Sequence, residues 1–382
     1  MRSRRSLLSV AAALIAAVLA GMTPVSGQEG GVDRQGIFNV LPLTPGSTDI
    51  LLSKDGRLAV VASVTFNRER SEPERVLLLA EPGTRRVLWR RSLPSPHCCA
   101  FPAVAMSQGA ETVVLGGAER TLVFGQDGAQ VFAATLADGR LHSTVAVADD
   151  GQGPVVGEWE GRIAAFDRGA SAPLWVRDVD GNLMGIALAG NGEVLAAALR
   201  GQWLLLRARD GAELARRAYG PARIAAVAIS RIGSRAAVVW KREDGRMVVE
   251  ASERGRTAWV RDLGQGTVPL LQLDDSGRWL AVGDLLGLQA VVLSFDGRVL
   301  WKATGPPRTT AAVDREGVRA VVGQGSHVAV RSLPDGRMIW QSRMPGVPHL
   351  LRLAGPRLAV LGTPDPAAGV PDRIWFAQLG SP

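Results

Sequence analysis

A glycine turn followed a few residues later by a tryptophan, or by another apolar residue, recurs through this chain about every 43 residues. The aromatic position falls at Phe38, Trp89, Phe132, Trp175, Ala215, Trp259, Trp301 and Trp340, with Ala215 marking a slot that lacks the ring. The intervals are 51, 43, 43, 40, 44, 42 and 39 residues. A repeat of roughly 40–45 residues made only of strand-like segments is the signature of a β-propeller blade. It constrains architecture far more than activity, because propellers are scaffolds whose chemistry resides in a few grafted residues.

Within each unit the pattern reads as four strands. An apolar run leads to a first polar turn, such as Lys54-Asp55-Gly56, Asp149-Asp150-Gly151, Gly190-Asn191-Gly192, Asp275-Ser276-Gly277 or Arg315-Glu316-Gly317. Asp, Asn and Gly suit these positions because tight hairpins demand positive φ or side-chain-to-backbone bonds. A second apolar run follows, then a third that ends in a second glycine turn, at Gly83, Gly128, Gly169, Gly211, Gly255, Gly297 or Gly336. The fourth carries the aromatic position, four residues after the glycine in five of seven units. Four strands at this period make one blade.

The clearest copies are Phe295-Asp296-Gly297-Arg298-Val299-Leu300-Trp301 and Pro334-Asp335-Gly336-Arg337-Met338-Ile339-Trp340. Here the chain resembles the quinoprotein-type repeat, whose Asp-x-x-Gly-x-x-x-Trp-like motif docks each blade on its neighbour. The resemblance covers nearly all of residues 36–382. It implies a structural, blade-docking role for Phe38, Trp89, Phe132, Trp175, Trp259, Trp301 and Trp340. Some propellers with this repeat bind pyrroloquinoline quinone with calcium; others bind no cofactor and act as assembly scaffolds.

Seven complete units run from about Thr48 to Pro345. The remainder, Val347–Gly380, offers three strands, and Gly36–Pro42 looks like a lone fourth with Phe38 in the aromatic position. Joining both ends in one sheet removes two exposed edges. The expectation is an all-β, eight-bladed propeller of four-stranded antiparallel blades, closed by its terminal strands; seven blades with loose ends is the alternative. The propeller domain spans 36–382, after a short linker at 28–35.

Residues 1–27 read as a cleaved signal peptide. Arg2, Arg4 and Arg5 precede the 14-residue apolar run Leu7–Ala20, too short to span a bilayer. Ser3-Arg4-Arg5-Ser6-Leu7-Leu8 also resembles a twin-arginine export signal. The expected location is the periplasm or the extracellular space, with no membrane span after cleavage. The formal charge of +8 falls to +5 without the three signal arginines, and lysine occurs only at 54, 241 and 302. The arginines are dispersed, without the basic clusters and interleaved aromatics of a nucleic-acid surface.

No zinc-protease, nucleophile-elbow, phosphate-loop or Cys-x-x-Cys motif occurs. The unusual segment is Pro94-Ser95-Pro96-His97-Cys98-Cys99. Two adjacent thiols in an oxidising compartment are expected to form a vicinal disulfide, strained because consecutive Cα atoms lie only ~3.8 Å apart. Quinone-dependent alcohol dehydrogenases are similar here, carrying such a disulfide over their cofactor. His97, Cys98 and Cys99 lie in a link from a fourth strand to the next first strand, and His142 and His349 lie in equivalent links. All five would face one channel mouth, where copper or zinc is a further ligand class. The leading expectation is a monomeric, non-catalytic scaffold binding an envelope or secreted protein or a ligand, with no cofactor. The alternatives are a quinoprotein-like oxidoreductase and a metal-binding propeller.

Overall fold

The computed structural model describes residues 37–42, 48–67, 72–84, 86–94, 103–117, 120–134, 142–267, 269–284, 289–305, 308–363 and 373–379. For a few of these, Ile37–Pro42 and His142 among them, the description is of the backbone alone. Every regular element among these residues is a strand.

Strand β1 (Ile37–Pro42) is followed by β2 (Thr48–Leu52), β3 (Ala59–Asn67), β4 (Glu72–Glu81) and β5 (Arg86–Pro94). Then come β6 (Val104–Met106), β7 (Thr112–Leu115), β8 (Thr121–Gly125) and β9 (Gln130–Ala134). The next group is β10 (His142–Ala146), β11 (Val155–Glu158), β12 (Arg162–Phe166) and β13 (Pro173–Asp178). Six strands follow: β14 (Leu183–Leu188), β15 (Val194–Arg207), β16 (Glu213–Ile229), β17 (Arg235–Lys241), β18 (Arg246–Glu253) and β19 (Arg256–Gln265). After them come β20 (Pro269–Leu273), β21 (Trp279–Asp284), β22 (Gln289–Ser294) and β23 (Val299–Thr304). The last are β24 (Thr310–Val313), β25 (Arg319–Gln324), β26 (His327–Ser332), β27 (Met338–Arg343), β28 (Val347–Ala354), β29 (Arg357–Thr363) and β30 (Arg373–Gln378).

These form antiparallel meanders. β2–β5, β6–β9, β10–β13, β20–β23 and β24–β27 are four-stranded, and β14–β19 make one six-stranded sheet. In the remaining sheet the order is β1-β30-β29-β28, so the first strand pairs with the last. Its register runs from Ile37 opposite Ala377 to Pro42 opposite Arg373. The six-stranded sheet contains two strands that change partner partway along. In β15, Leu195–Leu199 pairs with β14, whereas Gln202–Leu206 pairs with β16. In β16, Glu213–Ala218 pairs back to β15, whereas Arg223–Ile229 pairs forward to β17.

Burial follows the residue pattern. The middle strands β21 and β22 are near-continuous apolar runs, and they are buried along their whole length between neighbouring sheets. The fourth strands alternate, as in β13, because only one face meets a neighbour. The core is correspondingly divided into clusters between sheets, for example Ala237, Val239 and Val249 against Leu280, Val282 and Leu293.

Several of the first turns, those led by serine or aspartate, share a local device. Their leading side chain accepts the amide five residues on: Ser53 Oγ from Leu58 N at 2.9 Å, Ser107 Oγ from Thr112 N at 3.0 Å, and Asp274 Oδ1 from Trp279 N at 2.6 Å. Asp314 Oδ1 does the same for Val318 N and Arg319 N at 2.7 and 3.1 Å. Burial raises the Asp314 carboxyl to about 6, against the two amides and nearby Arg319 that favour its charge. Since the folded chain then holds this proton to higher pH than the unfolded one, stability is lost as pH rises from about 4 through 6. Asp314→Asn keeps the acceptor without the charge. It is expected to exceed the native protein by about 3 kcal/mol at pH 8 and to match it near pH 4, as urea midpoints at the two pH values would show. An equal gap at both would contradict this.

Candidate functional site

The first turns are hydrogen-bonded to one another in a belt. Lys54 N donates to Gln108 O, Gln108 N to Asp149 O, Asp149 N to Gly190 O, Asn191 N to Arg231 O, Arg231 N to Asp275 O and Asp275 N to Arg315 O, all at 2.8–3.0 Å. Side chains then bridge the belt. Asp149 accepts from Arg231 Nε at 2.9 Å and Gln108 Nε2 at 3.2 Å, and from Arg315 Nη2 at 2.5 Å, although Arg315 lies 166 residues away. Arg315 Nε also pairs with Asp275 at 3.0 Å. Burial opposes the Arg315 charge, but the Asp275 and Asp149 carboxylates overcome it and hold the guanidinium above its ordinary pKa. A contact between Asp149 and Arg315 is a chord across the belt, joining first turns of units that are far apart in the chain. At the junction of β28 and β2, Arg352 Nη2 reaches Asp49 at 3.2 Å, and Leu270 of β20 packs on the cluster containing Ile50 and Leu350.

The aromatic positions sit between sheets. Trp89 Nε1 donates to Gln126 O at 2.8 Å, Trp175 Nε1 to Ala208 O at 2.7 Å and Trp259 Nε1 to Phe295 O at 2.5 Å. Each acceptor belongs to the second turn of the following sheet. The glycine of that turn lies over the ring: a Cβ on Gly128 would stand 2.6 Å from Trp89, and one on Gly211 2.9 Å from Trp175. Phe132 is buried beside Phe166 at 6.5 Å between centroids, and the Arg331 guanidinium lies 4.7 Å over Trp301. Trp340 packs against the β28–β30 cluster, and Phe38 is placed by its backbone opposite Phe376. At the Ala215 slot, a Cβ on Gly255 would come 2.7 Å from the Ala215 methyl, so the following turn has moved in on the smaller residue. Sequence reasoning missed the arginine two residues after the ring: Arg91 and Arg177 donate to Gly128 O and Gly211 O, each at 2.8 Å.

Of the residues expected at the other mouth, His97, Cys98 and Cys99 lie outside the described residues, as does the signal segment 1–27. His142 begins β10, paired with Glu158, immediately before a register shift. His349 is the residue skipped by the shift between Pro348 and Leu350, and it is half-buried. The two histidines thus lie near the same end of β10 and β28, within those strands and not in the links expected from the sequence. Among the described residues no group of three His, Cys, Asp or Glu is placed to hold a metal ion.

On that same end, where β16 passes from β15 to β17, a groove of about 350 Å³ is lined by Tyr219, Pro221, Ala222, Trp240, Arg242, Glu243 and Asp244. Tyr219, the only tyrosine, stacks on Trp240 at 5.0 Å between centroids. Its hydroxyl donates to Glu250 Oε2 at 2.6 Å, while Thr257 Oγ1 donates to Glu250 Oε1 at 2.6 Å and Arg217 Nε lies 3.3 Å from it. Burial, then the Glu250 hydrogen bond, drive the tyrosine pKa upward, so the phenol stays neutral and donating. Glu250, 2 % exposed, accepts these bonds and anchors the tyrosine. The result is a rigid aromatic wall with a charged rim, chemistry suited to recognition.

Searches against family models and against curated proteins give no match. Solved structures do resemble the fold. The chain is a β-propeller. The Dos1 propeller superposes with a TM-score of 0.65 at 12 % identity, over 91 % of this chain and 95 % of that one. Sqt1 of Chaetomium thermophilum, solved bound to the N-terminus of ribosomal protein L10, gives 0.64 at 12 % identity, over 89 % and 100 %. BamB from Moraxella catarrhalis gives 0.57 at 15 % identity, over 89 % and 97 %. At such identities the likeness concerns the propeller fold. Among the described residues no helix is long and apolar enough to cross a membrane.

Proposed function

We propose that this propeller is an exported, non-catalytic scaffold of the quinoprotein-repeat type that holds a polypeptide partner in the Tyr219–Trp240 groove. The observation carrying the reading is the locked aromatic pair: burial and Glu250 fix the tyrosine, so little side-chain entropy remains to be lost when a partner docks. The propeller Sqt1, which carries the N-terminus of another protein, illustrates the mode on the same architecture. An ion pair running across the belt of first turns, Asp149 to Arg315, supports surface recognition over a substrate channel at that end. We read the ring as eight-bladed. The partner changes within β15 and β16 divide the six-stranded sheet into two four-stranded units, so seven sheets hold eight repeats. The basic n-region, the apolar run and the resemblance of the export motif support a periplasmic or extracellular location.

A photo-crosslinking residue at Arg242 in the exporting host tests this. A discrete adduct is expected that Tyr219→Ala and Trp240→Ala each reduce at least tenfold, while a probe at Val299 on β23 gives none. Equal adducts from both positions, or insensitivity to the aromatic substitutions, would remove the reading.

A further inference from the structure

Three repeat units open their second strand with arginine: Arg235 on β17, Arg319 on β25 and Arg357 on β29. Two of these donate to a first turn of the next unit. Arg235 Nη1 donates to Gly277 O at 3.3 Å and Nε pairs with Glu253 at 3.1 Å; Arg319 Nη1 donates to Gly355 O. Arg357 begins in the same way. Its Cβ and Cγ pass 2.6 Å from where a Cβ on Gly56 would stand, as Arg235 does over Gly277. Its guanidinium then departs from the pattern and continues to the second turn, where Nη2 lies 2.7 Å from the Cβ position of Gly83. There it makes no hydrogen bond or ion pair with any described residue, unlike its two counterparts. Gly83 is outside the left-handed region, so its turn does not require glycine for φ. The missing Cβ is instead what makes room for the guanidinium.

That head group opens into a pocket of about 420 Å³ on the turn-side face, shared with Arg57 and Arg86. The two carboxylates there are already engaged. Asp55 accepts from Ser53 Oγ at 2.7 Å and from Arg57 N at 2.9 Å. Glu81 accepts from Thr84 Oγ1 at 2.8 Å and Arg86 Nη2 at 3.1 Å, and these partners, Thr84 foremost, hold its pKa below the ordinary value. Arg86 is thereby matched, and the Arg57 and Arg357 charges exceed the acids available. We propose that this pocket binds a small oxyanion, a carboxylate or a phosphate, between Arg357 and Arg57. Guanidinium donors in a partly enclosed site suit such groups because their planar fork can grip two oxygens at once. The site is separate from the Tyr219 groove and does not depend on it.

Inorganic phosphate and glutarate, each titrated calorimetrically into the full-length mature protein at low ionic strength, test this. Saturable binding of at least one is expected. Phosphate alone would identify a phosphate site, and glutarate alone a carboxylate site. Arg357→Gln and Arg57→Gln should each weaken binding at least tenfold. Gly83→Ala should do the same while keeping every charge, because its Cβ would stand 2.7 Å from Nη2 and displace the guanidinium. Arg261→Gln on β19 should leave affinity within twofold. Melting curves establish that each variant is folded, and any one of the three pocket variants that folds suffices. No saturable heat from either probe, or native affinity in a folded Arg357→Gln or Gly83→Ala, would overturn the proposal.

Discussion

Deletion of the N-terminal residues through Pro42, which removes β1, is expected to lower stability by several kcal/mol and to drive the protein into dimers or aggregates. β1 contributes five register pairs to β30, from Ile37–Ala377 to Pro42–Arg373. Each ladder bond has a net worth of about 1 kcal/mol, and a domain's whole stability is only about 5–15 kcal/mol. The uncovered strand is an unfavourable edge. Ile374, Trp375, Phe376 and Ala377 are at most 3 % exposed and alternate across two apolar faces. Without β1 they would present unpaired backbone beside apolar side chains, a template for another chain. The ring junction would weaken as well, since β28 of the same sheet carries Arg352 to Asp49 on β2. The checks are the urea midpoint and size-exclusion elution of the chain with and without β1. Addition of a peptide spanning residues 36–44 should restore monomeric elution. A truncated chain with the native midpoint and monomeric elution would show that packing between sheets, not strand closure, holds the ring.

Much of this architecture is written locally in the sequence. The Gly-to-Trp spacing marks the fourth strands, and in the structure Trp89, Trp175 and Trp259 each reach the second turn of the next sheet. The pairing of residues 37–42 with β30 follows from counting strands against the repeat, because a lone fourth strand at one end answers three at the other. What a linear reading misses is contact set by ring closure. Asp149, Asp275 and Arg315 look like ordinary turn residues, and only a closed circle brings positions 149 and 315 within 2.5 Å. The groove escapes for a related reason. Tyr219 sits in the unit whose aromatic slot holds Ala215, and it is the unbroken run of β16 that carries it to Trp240 and Glu250. Arg357 is concealed differently: its position matches Arg235 and Arg319, and only the geometry separates the guanidinium with no acceptor among the described residues from the two that have one.

Trp89→Ala is expected to cost about 3–5 kcal/mol, the range for emptying a buried tryptophan site. Trp89 is 8 % exposed, its ring lies 6.0 Å from Phe124 of the next sheet, and its Nε1 is bonded to Gln126 O. The cost of such a deletion depends on how far the surroundings can collapse, and the protein contains its own example of collapse. At Ala215 the equivalent turn has closed in until Gly255 lies against the methyl. At Trp89 that movement is resisted, because Arg91 grips Gly128 O through two donors at 2.8 and 3.0 Å and holds the turn at the distance the indole requires. The loss should therefore fall toward the upper end of the range, and Arg91→Ala placed on top of Trp89→Ala should cost less than it does in the native background. Trp89→Phe keeps most of the ring and should lose only about 1 kcal/mol for the indole hydrogen bond. Gly128→Ala attacks the same contact from the other side, combining a φ of +75° with a Cβ 2.6 Å from the indole, so a loss of about 3 kcal/mol is expected. Gly169→Ala, with a φ of +83° and nothing within 4 Å, isolates the backbone contribution at about 1 kcal/mol. Chemical denaturation of the set decides the matter. Equal losses at Gly128 and Gly169 would mean that the turn yields to the indole without cost, and that the aromatic position does not lock neighbouring sheets together.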